Sequence, residues 1–190
     1  AALAVLLPMP DAGAQTFRTE KHEVRAVAVA KGLANPWGLA FLPDGRMLVT
    51  ERPGRLRIVS PDGRISRPVE GVPQVYARGQ GGLLDVTLHP DFARSRLVYF
   101  TYAEPGPGGG GTAAAFARLS DDGARLENLK VIFRMEPKAE GGLHFGSRLV
   151  FARDGRVFIT IGERGQMDLA QDISVNRGQV IRLEADGRVP

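Results

Sequence analysis

The sequence predicts an all-β protein built as a β-propeller, and three observations lead to this prediction. Short apolar runs alternate with Asp-Gly and Pro-Gly turns from Gly32 onward, and no stretch shows sustained helical periodicity. The 24 glycines and 13 prolines follow no fixed period, so they indicate frequent tight turns. A strand–turn–strand pattern also occurs three times along the chain.

The first occurrence predicts three short strands joined by tight turns. A turn over 35–38 leads into a short buried strand over 39–42. The Asp44-Gly45 pair is typical of a hairpin, and a second strand follows over 47–51. After a Pro-Gly turn, a third apolar run over 56–60 completes the predicted sheet.

The same pattern returns in segments 82–106 and 146–165, which resemble 38–54. Each segment has an apolar strand, a turn built on Pro-Asp or Asp-Gly, a second apolar strand and a glutamate near its end. Three copies of this arrangement favour a propeller over a β-sandwich, which remains the alternative.

The spacing of the turn aspartates sets the size of the repeat. Asp44, Asp91 and Asp154 lie 47 and 63 residues apart, close to one blade of a propeller with an insertion in the second interval. The insertion includes the glycine-rich run 105–111, which we predict to be a flexible loop. Propellers close with about 4–8 blades, so residues 15–190 predict a partial propeller domain of about three blades, truncated at its C-terminus.

Residues 1–14 predict the remnant of a secretory signal peptide. An apolar run over 1–7 precedes the small residues Ala12, Gly13 and Ala14, as in a signal-peptidase site. We expect cleavage before Gln15 and a periplasmic or secreted bacterial protein; a disordered tail is the alternative. The apolar run is too short to span a bilayer.

Composition and charge favour neither nucleic acid nor membrane as a partner. The chain has 25 Lys and Arg against 21 Asp and Glu, a net charge of +4, and no cysteine. Its densest basic stretch, 46–67, is interleaved with Glu51 and Asp62 and has no series of aromatic residues for base stacking. We therefore predict no nucleic-acid binding and no membrane span.

His144 is the strongest candidate for chemistry. It precedes the first strand of the third repeat, and Glu163 follows the second strand. Because the Asp154-Gly155 turn folds these strands antiparallel, both side chains are expected at the same end of the sheet. Histidine suits a general base near neutral pH, and a carboxylate can hold its second nitrogen.

Four stretches of the sequence resemble the soluble PQQ-dependent aldose sugar dehydrogenases of the glucose/sorbosone dehydrogenase family. They are LANPWGLAFLPDGRMLVTER, GQGGLLDVTLHPDF, HFGSRLVFARDGRVFITIGERGQ and QDISVNRGQVIRL. The resemblance implies the N-terminal half of a six-bladed propeller that binds PQQ and Ca²⁺. It further implies oxidation of the C1 hydroxyl of an aldose to the lactone, with hydride transfer to the quinone and an external electron acceptor.

The resemblance also implies roles for individual residues. His144 matches the general base of an H-x-x-x-R-L motif, and Glu163 matches the acidic residue that holds it. Gln80 and Asp168 match positions that contact the sugar. Most PQQ and calcium ligands are implied to follow Pro190, so no cofactor-binding or metal-ligating residue is assigned within this segment.

The sequence departs from the glucose-oxidising members at several of these positions. Leu143 replaces an acidic residue, Glu163 replaces the commoner aspartate, and Asp168 replaces an amide. These changes favour the broader aldose dehydrogenase branch. The remaining candidates have structural interpretations: His89 is expected to be structural and Trp37 to pack against its own blade.

Two other function classes remain open, and the oligomeric state is not predicted. One is a non-catalytic periplasmic propeller that acts as a binding module. The other is a metal-dependent propeller lactonase, for which Glu51, Glu104 and Glu163 are candidate ligands at strand ends.

Overall fold

The computed structural model describes residues 14–190 and is built almost entirely from antiparallel strands. The predicted signal-peptide remnant therefore lies, except for Ala14, outside the described residues. Within the described residues, helical structure is limited to one turn of α-helix, α1 (Phe92–Ser95), and a short 3₁₀ helix (Met167–Gln171). The strands are β1 (Gln15–Arg18), β2 (Glu23–Ala26), β3 (Pro36–Phe41), β4 (Met47–Glu51), β5 (Arg55–Val59), β6 (Leu83–Leu88), β7 (Leu97–Gly106), β8 (Gly109–Leu119), β9 (Leu126–Arg134), β10 (Gly146–Phe151), β11 (Val157–Ile161) and β12 (Val180–Leu183).

Three of the four sheets formed by residues 14–190 are propeller blades in which neighbouring strands follow chain order. The first blade is β3-β4-β5, the second is β6-β7-β8-β9 and the third is β10-β11-β12, while β1 and β2 form a separate exposed hairpin. Asp44, Asp91 and Asp154 each lie between the first and second strands of a blade. The predicted partial propeller of about three blades is thereby confirmed.

The first strand of the first blade differs from its prediction. Strand β3 begins at Pro36, so the predicted turn over 35–38 is wrong beyond Asn35. The strand is also not fully buried, contrary to the prediction. Ala40 packs toward the second blade, whereas Leu39 and Phe41 on the opposite face are 49% and 68% exposed. Side chains alternate between the two faces of a strand. Within the described residues, no blade covers that second face.

The glycine-rich insertion is a tight β-hairpin, and the prediction of a flexible loop is wrong. Strand β7 continues to Gly106 and β8 starts at Gly109, with Pro105 paired to Gly110. Tyr76 packs against Gly110, where an added Cβ would lie 2.4 Å from the Tyr76 Cδ1 atom. The glycines therefore allow close packing rather than loop flexibility.

The second blade lies between the other two and contributes to both main hydrophobic cores. The core shared with the first blade includes Leu48, Leu56, Val86 and Phe100, all at most 3% exposed. The core shared with the third blade includes Tyr99, Leu149 and Ile159. His89 contributes its ring beside Tyr99 and Phe151, which agrees with its structural interpretation.

A threonine on the second strand of each blade forms a hydrogen bond to the first strand of the same blade. At two interfaces between blades it also forms a hydrogen bond to the next blade. Thr50, Thr101 and Thr160 each lie opposite a bulge in the first strand of their own blade. Their hydroxyl oxygens accept hydrogen bonds from the backbone N–H groups of Gly38 (2.8 Å), Asp85 (3.0 Å) and Arg148 (2.9 Å), respectively. Thr50 then donates to the Leu84 carbonyl at 2.5 Å, and Thr101 donates to the Ser147 carbonyl at 2.7 Å. The blades are thus linked in chain order.

Within residues 14–190, no helix is both long and apolar enough to cross a membrane.

Candidate active site

The candidate site lies where the third blade's first strand begins and its second strand ends. His144 precedes β10 by two residues, Glu163 follows β11 by two, and Gly146 pairs with Ile161 between them. The Nδ1 atom of His144 is in hydrogen-bonding contact with Oε1 of Glu163. The predicted meeting of these side chains is therefore confirmed, and the structure holds the histidine by one nitrogen.

The backbone around His144 requires an unusually close approach of two strands. His144 adopts a left-handed conformation, with φ of 51°. Its carbonyl oxygen faces Gly162, and a Cβ added there would lie 1.9 Å from that oxygen. Glycine at 162 is therefore required for His144 and Glu163 to reach each other.

Hydrogen bonding keeps the Glu163 carboxylate ionised. The hydrogen bond from His144 is the largest factor that holds the pKa of Glu163 below its ordinary value. The backbone N–H of Gly165 adds a hydrogen bond at 3.1 Å. Since an ionised carboxylate only accepts hydrogen bonds, Nδ1 of His144 carries a proton, and in the neutral tautomer Nε2 is the basic nitrogen.

Gln80, from the loop before the second blade, completes the support of His144. Its side-chain Oε1 accepts a 2.9 Å hydrogen bond from the His144 backbone N–H. Its own backbone N–H donates to the Gly142 carbonyl at 2.7 Å. The amide oxygen is thus occupied, and the amide NH₂ group of Gln80 remains as a donor toward the adjoining cavity.

A cavity of about 220 Å³ adjoins the histidine. It is lined by Trp37, Arg52, Gln80, Leu84, His144, Phe145 and Gly146. All three blades or their flanking loops therefore contribute to its wall. The combination of aromatic and aliphatic surface with a few polar groups is typical of small-molecule sites.

Trp37, Arg52 and Phe145 were not predicted from the sequence as site residues. Trp37 was expected to pack against its own blade; instead it lines the cavity and stacks with Arg148, whose guanidinium carbon lies 4.5 Å from the ring centre. Arg52 donates to the Gly79 carbonyl. Trp37 lies at the start of the first blade's first strand and Arg52 just after its second strand, as His144 and Glu163 do in the third blade. That shared position was the available signal.

Asp168 is the predicted site residue that the structure brings neither to the cavity wall nor, as it does Glu163, into contact with His144. It lies exposed in the short 3₁₀ helix after Glu163 and is not among the cavity-lining residues. Leu143, beside His144, is 53% exposed. The site within the described residues therefore consists of His144, Glu163 and Gln80 with the cavity wall.

A buried arginine joins the two loops that carry the pair. Arg164 is 5% exposed, stacks 3.5 Å from the centre of the Phe145 ring and donates to the Gly141 carbonyl at 3.0 Å. Burial lowers the pKa of Arg164. Its guanidinium thus ties the loop before β10 to the loop after β11.

The other strand-end glutamates are held by cations. Fully buried Glu51 pairs with Arg55 and Arg57, at 2.6 and 3.2 Å, and Glu104 pairs with Arg134 and Lys138, at 2.9 and 2.7 Å. Glu163 contacts His144 instead. Among the residues described, no three His, Cys, Asp or Glu side chains are grouped as a metal site. Glu51 and Glu104 are therefore each committed to ion pairs in the described residues.

Repeated antiparallel blades, with a histidine–carboxylate pair beside a cavity at one blade end, define a β-propeller with an enzyme-type site. The sequence model of the Glucose / Sorbosone dehydrogenase family matches residues 33–190. The chain belongs to this family.

Three relatives show the extent of the similarity. The aldose sugar dehydrogenase YliI of Escherichia coli K12 is 48% identical over 160 residues, which cover 83% of this chain and 43% of the relative. A crystal structure of a glucose dehydrogenase is 55% identical, with a TM-score of 0.83, and the match covers 85% of this chain and 48% of that one. The PQQ-bound aldose sugar dehydrogenase of Streptomyces coelicolor is 30% identical, with a TM-score of 0.75 and coverage of 92% and 49%. The chain thus spans about half the length of these relatives.

Proposed function

We propose that these residues belong to a PQQ-dependent aldose sugar dehydrogenase that oxidises the C1 hydroxyl of an aldose to the lactone. The single observation that supports this most is the contact between His144 Nδ1 and Glu163 Oε1, beside a cavity lined by His144 itself. In the neutral tautomer this contact leaves Nε2 to accept a proton. Aldose and glucose dehydrogenases among the relatives support the substrate class.

In this proposal, His144 acts as the general base. Its Nε2 removes the proton of the C1 hydroxyl while the C1–H bond breaks and the carbonyl of the lactone forms. Glu163 keeps the other nitrogen protonated and stabilises the imidazolium that results. General-base catalysis of this kind contributes about 10²–10⁴-fold to rate. In this proposal the Gln80 amide NH₂ donates to a sugar oxygen near the reacting carbon, a role supported by the position of Gln80 in the cavity wall.

The cavity wall fits part of a PQQ molecule. Trp37 offers aromatic surface to a planar ring system. Arg52 uses one of its five N–H groups on the Gly79 carbonyl, which leaves others for a carboxylate. When bound, PQQ supplies the two-electron acceptor for the hydride that leaves C1. The PQQ-bound Streptomyces relative supports this cofactor.

Four further parts of the proposal concern groups outside the contact between His144 and Glu163. We propose that Ca²⁺ accompanies PQQ on oxygen ligands outside residues 14–190, because no candidate cluster lies within them. We also propose a periplasmic or secreted location, from the signal-peptide pattern of residues 1–14, and an external electron acceptor. Asp168 is retained as a substrate-side candidate on the family resemblance.

The test is a comparison of two histidine variants in the full-length protein, reconstituted with PQQ and Ca²⁺ and assayed by dye reduction with a panel of aldoses. His144→Ala should lower kcat by about 10²–10⁴-fold. His22→Ala, which alters an exposed histidine of the β1–β2 hairpin, should leave kcat unchanged. Absence of PQQ-dependent oxidation of any aldose would refute the proposal, and unchanged turnover in His144→Ala would remove that residue from the mechanism.

A further inference from the structure

The segment that follows His144 is held by two threonines of the second blade. Thr112, on β8, donates from its hydroxyl to the Phe145 carbonyl at 2.6 Å. Thr101, on β7, donates to the Ser147 carbonyl at 2.7 Å. Both threonines are 0% exposed, so neither bond competes with water. The backbone directly after the candidate base is therefore fixed from a neighbouring sheet.

The backbone held in this way is strained. His144, Gly146 and Ser147 have φ angles of 51°, 69° and 92°. Positive φ is sterically costly for residues with a Cβ, and Ser147 is further from the favoured left-handed region than His144. Such conformations persist only where the surrounding structure over-determines them, and they concentrate at functional sites. The two buried hydroxyl groups provide that constraint here.

The interface between the first and second blades shows which of these bonds is an ordinary part of the fold. There, Thr50 repeats the bond of Thr101, with the Leu84 carbonyl as its acceptor. Among the described residues, no threonine on the third strand of the first blade repeats the bond of Thr112. The Thr112 bond is therefore an addition at the interface that carries His144.

We propose that Thr112, assisted by Thr101, is a positioning residue for the His144 base. The inference rests on the proposed function. Loss of the Thr112 hydroxyl would leave the buried Phe145 carbonyl with only the long 3.4 Å hydrogen bond from the Ser147 hydroxyl. The adjacent His144 would then be free to leave its left-handed conformation. Misplacement of a catalytic group by about 1 Å can cost on the order of 10²-fold in rate. Because the cavity wall is otherwise retained, the loss should fall on kcat rather than on KM.

The test uses Thr112→Val and Thr101→Val in the full-length protein, with Thr112→Ser as the conservative rescue. Thr50→Val is the matched control, since Thr50 is equally buried and makes the same type of bond between blades. We expect kcat to fall about 10–100-fold in Thr112→Val with KM within threefold, and to recover in Thr112→Ser. Thr50→Val should lower the melting temperature to a similar extent without this loss of kcat.

A second readout is independent of the cofactor. In a crystal structure of the apo Thr112→Val variant, His144 should leave its positive φ and lose its contact with Glu163. An unchanged loop, or kcat within twofold of wild type, would overturn the inference. If Thr112→Val and Thr101→Val both fail to fold while Thr50→Val folds, the hydroxyls serve the fold and the inference is also wrong. Should the wild type oxidise no aldose, the proposed function fails, and the loop geometry alone decides the positioning role.

Discussion

Replacing Glu163 with glutamine tests whether the carboxylate makes His144 basic. The substitution keeps the size of the side chain and removes its charge. The new amide can present its NH₂ group to Nδ1, which would place the imidazole proton on Nε2, the nitrogen that must accept one. The same change removes the negative charge that stabilises the imidazolium.

The expected magnitude follows from the exposure of the pair. The His144 side chain is 50% exposed and the Glu163 side chain 19%. Water therefore screens their interaction in part, and we expect a loss in the lower part of the range for general-base catalysis. A fall of about 10²–10³-fold in kcat corresponds to about 2.7–4.1 kcal/mol of activation free energy.

The assay is steady-state dye reduction by the PQQ-reconstituted full-length protein. Glu104→Gln is the matched control, because both glutamates lie three residues after the threonine on the second strand of their own blade. Glu104, however, is paired with Arg134 and Lys138. The Glu104→Gln substitution should reduce stability and leave kcat within about twofold. Glu163→Gln with kcat within threefold of wild type would refute the reasoning, as would an equal loss in both variants.

Three other predictions concern stability and solubility. Burial alone would raise the pKa of Glu51, but hydrogen bonds from Arg55 and Ala34 outweigh it and lower the pKa in the folded protein. The ionised Glu51 side chain should therefore stabilise the fold fully above about pH 4.5, the ordinary pKa of a glutamate. This contribution to the free energy of unfolding should be lost as the pH falls through the lower pKa of the folded state. Glu51→Gln should thus cost about 3–5 kcal/mol near pH 7 and less in acid, as urea titrations at several pH values would show; an equal cost at every pH would contradict the assignment. Gly110→Ala should destabilise the fold by about 1–3 kcal/mol in thermal melts, because its Cβ meets Tyr76; an unchanged melting temperature would contradict the packing. Residues 15–190 expressed alone should self-associate through the exposed face that carries Phe41, so Phe41→Lys should reduce light scattering; monodisperse unmodified protein would refute this.

The accuracy of the sequence predictions varied with how local the determining interactions are. The Asp-Gly turns set strand boundaries within a few residues, so β4 was predicted at its observed limits. The His144–Glu163 contact followed from one hairpin, because a turn at Asp154-Gly155 folds the two strands back on each other. The catalytic, substrate-side and cofactor roles remain predictions.

What the sequence alone did not reveal depends on contacts between distant segments. The sequence of the 105–111 run predicts a flexible loop, because glycines have no side chains that could indicate packing. The residue that packs against this run, Tyr76, lies 34 residues before Gly110. Trp37 and Arg52 line the cavity only because the first blade lies beside the third blade's histidine loop. No periodicity in the sequence indicates either of these contacts, because both depend on how the blades are arranged around a common axis.

The threonine links give the stack of blades a polarity. Each link has its donor in the earlier blade and its acceptor in the later blade. The same head-to-tail arrangement occurs in heterologous contacts between subunits, which close into a ring when the rotation between neighbours permits. Thr160 carries the same hydroxyl in the third blade, and within residues 14–190 it has no acceptor for its proton. A blade gained by duplication would bring both a donor for its successor and a bulge carbonyl for its predecessor. One donor and one acceptor per blade are therefore sufficient to repeat the link at each further interface of this kind.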